Sequence, residues 1–243
     1  MFLRQVRFID FPKGSGYPFD LPAFQGVKTI NFEHCVTFLV GENGSGKSIL
    51  LEAIAVQAGF NAEGGSRGNR FATVSAHFEL SDYIQLSWMP KVTDGFFFRA
   101  ESFFTFATYI DDLEPLISDP YSAYGGRPLH EQSHGESFLN LFTHRLGNRR
   151  PALYLLDEPE AALSPSRQLA FLRILRNHEQ IGRSQFIIAT HSPIILGYPE
   201  ADLFTFDDGP LRYTFYHDTD HYQITRQFLN APEPILRELF KGE

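Results

Sequence analysis

A glycine-rich octet between an apolar run and a helix-like stretch most constrains the fold of this chain. It follows Val36–Val40, precedes residues 49–58 and reads Gly41-Glu42-Asn43-Gly44-Ser45-Gly46-Lys47-Ser48. Glycines let the backbone bend so that successive N–H groups point at one anion, and the positive end of the following helix strengthens that field. The pattern is that of the phosphate-binding loop, or P-loop, and it predicts that the chain binds a nucleotide.

Two side chains of the P-loop have specific predicted roles. Lys47 is expected to reach the β- and γ-phosphates, and the Ser48 hydroxyl is the expected Mg²⁺ ligand, because a hard cation prefers oxygen. The predicted nucleotide-binding residues are Gly41, Glu42, Asn43, Gly44, Ser45, Gly46, Lys47, Ser48 and Ile49. GTP stays open as an alternative to ATP, although the chain contains no Asn-Lys-X-Asp run that reads guanine.

Length, charge and cysteine content limit the remaining possibilities. A chain of 243 residues is long enough for one composite domain with a substantial core. A net charge of −8 argues against broad nonspecific attraction to nucleic acid, but it leaves room for a local basic groove. The lone Cys35 cannot form an internal disulfide and no charged-then-apolar leader precedes Phe2, so a cytoplasmic location is expected. No apolar run approaches the ~20 residues of a spanning helix, which predicts no direct membrane insertion.

Hydrophobic periodicity in the first half of the chain predicts mainly β-structure around the P-loop. Strands are expected near residues 6–8, 27–32 and 36–40. Apolar and polar residues alternate over 73–80 and again over 84–88, which predicts an antiparallel hairpin.

The second half of the chain combines helical spacing with short apolar runs. Apolar residues return at helical intervals within 101–113 and 138–146, and these segments predict a small helical layer. Residues 152–156 and 186–189 are continuous apolar runs suited to buried parallel strands. The segment 222–240 also has helical spacing, and it could dock on the core or on a partner. The predicted fold class is α/β, with a mainly parallel core sheet, an antiparallel β part and a small helical subdomain.

Two carboxylates follow one of these predicted strands. The apolar run Leu153-Tyr154-Leu155-Leu156 leads directly into Asp157-Glu158-Pro159. Ligands of open α/β sheets bind at the carboxyl ends of such strands. Asp157 is therefore expected to hold Mg²⁺ directly or through water, and Glu158 to orient the attacking water and take its proton. Taken alone, Asp-Glu-Pro is equally typical of a strand end before a turn, and only its combination with the P-loop favours catalysis.

Four motifs occur in an order that resembles ABC-type ATPases: the P-loop, Ser133-His134-Gly135-Glu136, Asp157-Glu158 after four apolar residues, and Thr190-His191-Ser192. The runs 157–165 and 189–193 are most similar to the soluble AAA-family branch with SMC, RecF-like and OLD-like heads. No sustained heptad array is present, so no coiled-coil arm is expected. The resemblance covers most of the chain and implies one domain over 1–243. Its expected parts are a β-rich lobe with the P-loop (about 1–98) and a helical layer (99–150) with the segment 133–136, which corresponds to the family's signature motif. The third part (151–243) contains Asp157-Glu158 and His191.

In that family, two heads close around two ATP molecules. The resemblance implies that Ser133 and Gly135, together with Glu136, cap the γ-phosphate held by the opposite subunit. It also implies that His191 is a catalytic switch histidine contacting the γ-phosphate. Ser133 and Glu136 equally fit a capping box at a helix start, and this reading is compatible with an anion site there. The segment departs from transporter signatures at Gln132, His134 and Glu136.

Several further positions carry two interpretations. Glu101 is the candidate for the residue, usually glutamine, that links the nucleotide to the helical layer, and it is equally a first-turn helix acid. Ser164 stands where the family often has Asp in its D-loop, but a helix cap also explains a serine before proline. The aromatic residues available for adenine stacking are Tyr17, Phe19 and Phe24, for which packing is the alternative.

The sequence therefore predicts an ABC-type ATPase that uses ATP and Mg²⁺. Mg-ATP is expected to drive formation of a homodimer that acts on an unidentified protein partner or on nucleic acid. The alternative is the nucleotide-binding subunit of an ABC membrane transporter, which the variant signature and the Thr-His-Ser-Pro run disfavour. A slow switch that scarcely hydrolyses ATP is a third class, and the presence of Glu158 and His191 argues against it.

Overall fold

The structure is a computed structural model, and its described part contains both halves of the predicted nucleotide site. It describes residues 1–12, 16–62, 64–65, 78–101 and 150–241, together with 108, 126, 136, 139–140 and 143. Most of the predicted helical layer, including Ser133 and Gly135, lies outside the described residues.

A six-stranded sheet forms the centre of the described fold. In spatial order, its strands are β5 (Asp94–Arg99), β6 (Ala152–Asp157), β7 (Ser184–Ala189), β3 (Val36–Val40), β8 (Asp202–Thr205) and β9 (Arg212–Tyr213). The first five strands are parallel, and β9 pairs with β8 in the antiparallel sense. Strands β3, β6 and β7 are buried at every position, which explains their continuous apolar sequences. The mainly parallel core sheet of the α/β prediction is confirmed.

A smaller antiparallel sheet packs against the helix that follows the P-loop, α1 (Lys47–Ala58). Its spatial order is β2 (Thr29–Asn31), β1 (Leu3–Phe8) and β4 (Ile84–Trp88). Strand β1 lies in the middle and pairs antiparallel with both neighbours. The predicted antiparallel β part is therefore confirmed.

The predicted hairpin before β4 is wrong in its described portion. Residues Phe78–Tyr83 form a 3-10 helix, and β4 pairs with β1 instead of with the segment just before it. Pairing with β1 sets Val6 opposite Leu86 and Phe8 opposite Ile84, so one apolar face covers α1. Burial of this shared face overrides the local alternation, because strand preference depends on same-face packing. The first part of the expected hairpin, residues 73–77, lies outside the described residues.

Hydrophobic cores fill both faces of the parallel sheet. On one face, α1 packs between the two sheets, with eight of its twelve residues buried. On the other face, α2 (Pro165–Ile181) contributes Phe171 and Leu175, both fully buried. Because α1 is enclosed on both sides, it is apolar nearly all round, whereas α2 shows the one-sided pattern of a surface helix.

A fully buried glutamine joins the antiparallel sheet to the parallel one. Gln185 of β7 accepts hydrogen bonds from the backbone N–H groups of Phe2 and Leu3 at 2.8 Å, and its amide donates to the Leu3 carbonyl at 2.9 Å. A buried amide is tolerated here because its oxygen and nitrogen both have partners. The start of β1 is therefore fixed against the middle of the parallel sheet.

The C-terminal segment forms two helices that lie on the surface. After the short α3 (Pro193–Leu196) come α4 (Asp220–Asn230) and α5 (Pro232–Leu239), so the helical spacing predicted for 222–240 is confirmed, with a break at Pro232. Neither α4 nor α5 contains a buried residue. None of the helices in the described ranges combines the length and apolar character needed to cross a bilayer.

Among the glycines in the described part of the chain, Gly95 of β5 has the least room for a side chain. A Cβ atom there would lie 2.0 Å from the Leu153 carbonyl oxygen and 2.6 Å from the Phe60 ring. Gly182 follows the end of α2 and has φ +70°, and a Cβ atom added there would have no other atom within 4 Å. Gly95→Ala is expected to lower the free energy of unfolding by about 3 kcal/mol or more through overpacking and strain. Gly182→Ala should cost only about 1 kcal/mol. Urea unfolding measures both, and equal losses would contradict this account.

Candidate nucleotide site

The five parallel strands of the central sheet each lead into a residue or loop of the candidate site. Strand β3 leads into the P-loop, and the others end at or just before Arg99 (β5), Asp157 (β6), His191 (β7) and Asp207 (β8). Because parallel strands have their carboxyl ends at one edge of a sheet, residues far apart in sequence become neighbours. This edge is where ligands of open α/β sheets bind.

The P-loop has the backbone that an anion site requires. Gly46 is the N-cap of the twelve-residue α1, has φ +110° and has no side-chain cap. A Cβ atom at Gly46 would also lie 3.1 Å from the side chains of Leu21 and Phe24, so both conformation and packing select glycine. The uncapped N–H groups and the helix dipole together favour a negative ligand at this point. The backbone therefore fits a nucleotide phosphate.

Lys47 places a positive charge inside the loop. Its side chain is only 4% exposed, and its Nζ donates to the carbonyl oxygens of Gly41 (2.6 Å) and Glu42 (2.8 Å). Burial lowers the pKa of Lys47, whereas the carboxylates of Glu158 and Asp157 act in the opposite direction. An ammonium group held by carbonyls at the mouth of a helix N-terminus is suited to bind phosphate oxygens.

Ser48 and Asp157 form the candidate metal-binding pair. The Ser48 hydroxyl donates to Asp157 Oδ1 at 3.0 Å, although the two residues are 109 positions apart. Burial raises the pKa of Asp157 to about 6, against the opposing effects of Arg99 and of the Ser48 hydrogen bond. A hydroxyl and a carboxylate side by side are the hard oxygen ligands that Mg²⁺ prefers. A bound cation would also favour the ionised form of this buried carboxylate. The residues present therefore fit Mg²⁺.

Arg99 occupies the part of the site next to this pair. Its Nε lies 3.9 Å from Asp157 Oδ2, and its two terminal nitrogens lie 3.3 Å from Glu52 and 3.5 Å from Glu101. Glu101 itself is exposed at the rim, so its linking role stays a prediction. Sequence reasoning passed over Arg99 in favour of Glu101. The position of Arg99 at the end of a predicted strand was the signal that could have identified it.

Glu158 has an unusual backbone conformation. It lies in the left-handed region at φ 51° and ψ 53°, and its N–H donates to the Ala189 carbonyl at 2.9 Å. This conformation is uncommon for a residue other than glycine and often marks functional positions. The half-exposed carboxylate has Oε1 3.6 Å from His191 Nε2. The two predicted catalytic side chains are therefore neighbours, beside Asp157.

Glu160, which the sequence analysis did not single out, organises the end of β7. Its two carboxylate oxygens accept hydrogen bonds from the His191 backbone N–H (2.6 Å) and from the Thr190 hydroxyl (2.7 Å). Burial raises the pKa of Glu160, and these two hydrogen bonds act against that rise. The carboxylate thereby ties the loop after β6 to the loop after β7. No local sequence pattern distinguishes this glutamate from an ordinary turn acid.

His191 is also held through its ring. Its Nδ1 lies 2.9 Å from Nε2 of His221, a residue in the first turn of α4. Burial, followed by the nearby Lys47 ammonium and His221, lowers the pKa of His191. At neutral pH the imidazole is therefore neutral and carries one proton. Nothing in the sequence links His221 to residue 191.

The remaining predicted positions have mixed outcomes. Of the signature residues, Ser133 and Gly135 lie outside the described residues, while Glu136 is exposed with Oε1 3.6 Å from Arg167. Ser164 is the N-cap residue of α2, before Pro165 as predicted, but its side chain makes no capping hydrogen bond. Capping therefore does not explain this serine.

Of the three aromatic candidates for adenine stacking, two belong to the core. Phe19 and Phe24 are buried, and they pack on Tyr83 and on Phe206 respectively. Their packing interpretation is confirmed, whereas Tyr17 is exposed and its role stays open.

Comparisons with known proteins support the same assignment. A family model described as "AAA domain" matches residues 22–105, and another, described as "AAA domain, putative AbiEii toxin, Type IV TA system", matches residues 108–197. A solved structure of MJ1267, an ATP-binding cassette of an ABC transporter in its ADP conformation, aligns over 100% of both chains, with 18% identity and a TM-score of 0.54. An SMC head bound to the C-winged helix domain of ScpA aligns over 88% of this chain and 96% of its own, with 14% identity and a TM-score of 0.50. The chain has the P-loop fold of ABC ATPases and SMC heads.

Curated relatives share about a quarter of their aligned residues with this chain. The cytochrome c biogenesis ATP-binding export protein CcmA of Bartonella henselae is 27% identical, over 73% of this chain and 84% of its own. The tungstate uptake system ATP-binding protein TupC of Campylobacter jejuni is 25% identical, over 85% of this chain and 68% of its own. Both are named as ATP-binding components, which agrees with the site geometry.

The pKa of Asp157 leads to a testable dependence of stability on pH. Because this pKa is raised to about 6 in the folded ABC-type domain, from about 3.9 in an unfolded chain, ionisation of Asp157 removes stability as the pH rises between these values. Asp157→Asn has no such charge. With a chelator present, this variant is expected to exceed the wild type in free energy of unfolding by at most about 3 kcal/mol near pH 8.

The same difference should shrink to about 0.5 kcal/mol near about pH 4, where Asp157 is protonated in the folded state and about half protonated in the unfolded chain. Urea unfolding at the two pH values measures it, and Asp208→Asn, the same change at a carboxylate whose side chain is 84% exposed, is the matched control. Equal destabilisation by Asp157→Asn at both pH values would contradict the burial argument.

Proposed function

We propose that this ABC-type domain binds Mg-ATP at the P-loop edge and hydrolyses it within a dimer of two heads. The observation that carries the proposal is the contact between Ser48 and Asp157, directly beside the buried Lys47 at the N-terminus of α1. A hydroxyl, a carboxylate and an ammonium group are not usually needed together to stabilise the start of a helix. Together they suit the binding of a nucleoside triphosphate with its cation.

The binding roles follow from charge and reach. The backbone N–H groups at the start of α1 and the Lys47 ammonium would bind the β- and γ-phosphates. Ser48 and Asp157 would hold Mg²⁺, which neutralises negative charge on the phosphate oxygens when bound. Arg99, 3.9 Å from Asp157, would restrain that carboxylate on its other side. The nucleotide is then fixed by groups from β3, β5 and β6.

The catalytic roles fall to Glu158 and His191. Glu158 has a half-exposed carboxylate at the site edge, where it can orient a water molecule and accept its proton. His191 Nε2, 3.6 Å from that carboxylate, would donate a hydrogen bond to a γ-phosphate oxygen. A base and a donor on one side of the phosphate suit an in-line attack by water. Both residues depend on the end of β7, which Glu160 fixes.

The dimer is supported by the exposure of the site. Glu42, Asn43 and Gly44 at the tip of the P-loop are all exposed, so the phosphate edge opens to the surface. Efficient hydrolysis requires water to be excluded, and a second protein surface can provide this cover. By the resemblance stated above, Ser133 and Gly135 of a second head would supply it. The assembly would be two-fold symmetric, and ATP would favour it by binding the closed form better.

A second candidate function is supported by the curated relatives. Both are named as ATP-binding parts of export or uptake systems, so this chain could act as the ATP-binding subunit of a transporter. A subunit of that kind should co-purify with a membrane protein from detergent-solubilised cells. A head that acts on a partner protein or on nucleic acid should be recovered without one.

The dimer is tested with a variant that binds ATP but hydrolyses it slowly. Glu158→Gln removes the proposed base, so ATP turnover is expected to fall about 100-fold or more, within the range for general base catalysis. Trapped Mg-ATP should then double the molar mass measured by light scattering. Adding Ser133→Arg in the same background is expected to abolish the dimer by blocking the opposite phosphate.

Two results would remove this mechanism. A wild type that hydrolyses ATP no faster than Glu158→Gln would refute the role of Glu158. A monomer of Glu158→Gln at every Mg-ATP concentration would refute the two-headed site.

A further inference from the structure

The bond between His191 and His221 connects the candidate site to the surface helix α4. Its two nitrogens, Nδ1 of His191 and Nε2 of His221, lie 2.9 Å apart. The opposite nitrogens, His191 Nε2 and His221 Nδ1, are both buried and have no hydrogen-bond partner in the described part of the chain. The direction of the one bond therefore decides where both rings carry their protons.

The two possible directions differ in cost. If His191 donated from Nδ1, then His221 would carry its own proton on Nδ1, a buried N–H without an acceptor, which typically costs about 1–3 kcal/mol. His191 Nε2 would then turn a lone pair toward Glu158 Oε1, only 3.6 Å away. If His221 donates instead, its Nδ1 needs no acceptor, and His191 carries its proton on Nε2, facing the carboxylate. The second direction leaves no unpaired N–H on His221, and its Nε2–H on His191 faces the Glu158 carboxylate at 3.6 Å, where the attraction offsets the missing hydrogen bond.

The direction of the hydrogen bond between the two rings fixes the tautomer of His191 only when its imidazole is neutral. Burial and the Lys47 ammonium lower the pKa of His191, so the ring carries a single proton near neutral pH. A hydrogen bond to a phosphate oxygen requires that proton to be on the nitrogen that faces the phosphate. Without a donor at Nδ1, only the Glu158 carboxylate 3.6 Å away would favour the proton on Nε2, so the tautomer protonated at Nδ1 would gain population.

The helix that carries His221 is weakly anchored. Helix α4 has no buried residue, and a cavity of about 540 Å³ lies between it and α3, lined by Pro193, Ile194, Tyr222 and Leu229, among others. Because α4 buries no residue and this cavity separates it from α3, the helix can shift without opening a hydrophobic core.

We propose that His221 is a positioning residue for His191. By donating from Nε2 to Nδ1 of His191, it holds the proton of His191 on the nitrogen that faces the γ-phosphate end of the site. Helix α4 is thereby coupled to hydrolysis, since its displacement would release the His191 tautomer. The link to hydrolysis rests on the proposed function, whereas the tautomer itself can be measured without ATP turnover.

The first test reads the tautomer directly. In the full chain labelled with ¹⁵N-histidine, long-range proton–nitrogen correlation spectra near neutral pH distinguish protonated from unprotonated ring nitrogens. The His191 signals are assigned by their loss in His191→Gln. The wild type is expected to be protonated at Nε2, and His221→Leu to populate both tautomers. His217→Leu makes the same change at a ring that contacts Tyr216 and Tyr222, and it should leave His191 unaltered.

The second test separates positioning from general damage. His221→Leu is expected to lower kcat about tenfold, the lower end of the cost of removing a histidine's supporting partner, with KM for ATP within about twofold. His221→Gln keeps an N–H near the same place and should retain most of kcat. In a His191→Gln background, His221→Leu should have no further effect, because the two residues act as one unit.

Each outcome decides the proposal. Protonation of His191 at Nδ1 in the wild type, or an unchanged tautomer in His221→Leu, would overturn it. An equal loss of kcat in His221→Leu and His221→Gln, an unchanged kcat in His221→Leu, or full additivity with His191→Gln would also overturn the positioning role. A wild type without ATPase activity would refute the proposed function instead, and the spectra would still decide which ring donates.

Discussion

The parallel alignment of five neighbouring strands is the constraint on which the rest of this structure depends. It places the P-loop, Arg99, Asp157, His191 and Asp207 at one edge of the sheet, although they come from positions spread over more than a hundred residues. The buried strands hold these loop residues rigidly, because a close-packed core tolerates little displacement. The cores on both faces of the sheet, and Gln185 between the two sheets, are therefore as important to the site as the residues that line it.

Electrostatics explains why so many polar groups are gathered at this edge. Lys47 and Asp157 are both buried, and burial lowers the pKa of Lys47 and raises the pKa of Asp157, which in both cases favours the neutral form. The structure counters this with short contacts: carbonyl oxygens around Lys47, and Ser48 and Arg99 around Asp157. A negatively charged phosphate and a divalent cation would complete both sets of interactions, because each favours the ionised form of its protein partner. The site is thus arranged for a charged ligand and its metal together.

Short sequence patterns predicted the fold well where local signals and burial agree. The P-loop, β3, β6, β7 and α1 follow from continuous apolar runs and glycine spacing, and the structure has them at nearly the predicted bounds. The hairpin before β4 was wrong because the partner of that strand is β1, nearly eighty residues away, and the pairing is set by a shared apolar face over α1. The two C-terminal helices were predicted as one segment, which Pro232 interrupts.

By itself, the sequence determined the chemistry of the chain: a glycine loop with Lys47 and Ser48, a carboxylate pair after a strand, and a histidine after another. Each of these motifs is local, because the residues that define it lie within a few positions of each other in the sequence. Only the tertiary structure decided which side chains complete the site. Arg99, Glu160 and His221 contact Asp157, Thr190 and His191, and these contacts depend on strand order and on where α4 lies. Such contacts leave no local pattern, because their energy comes from groups brought together only by folding.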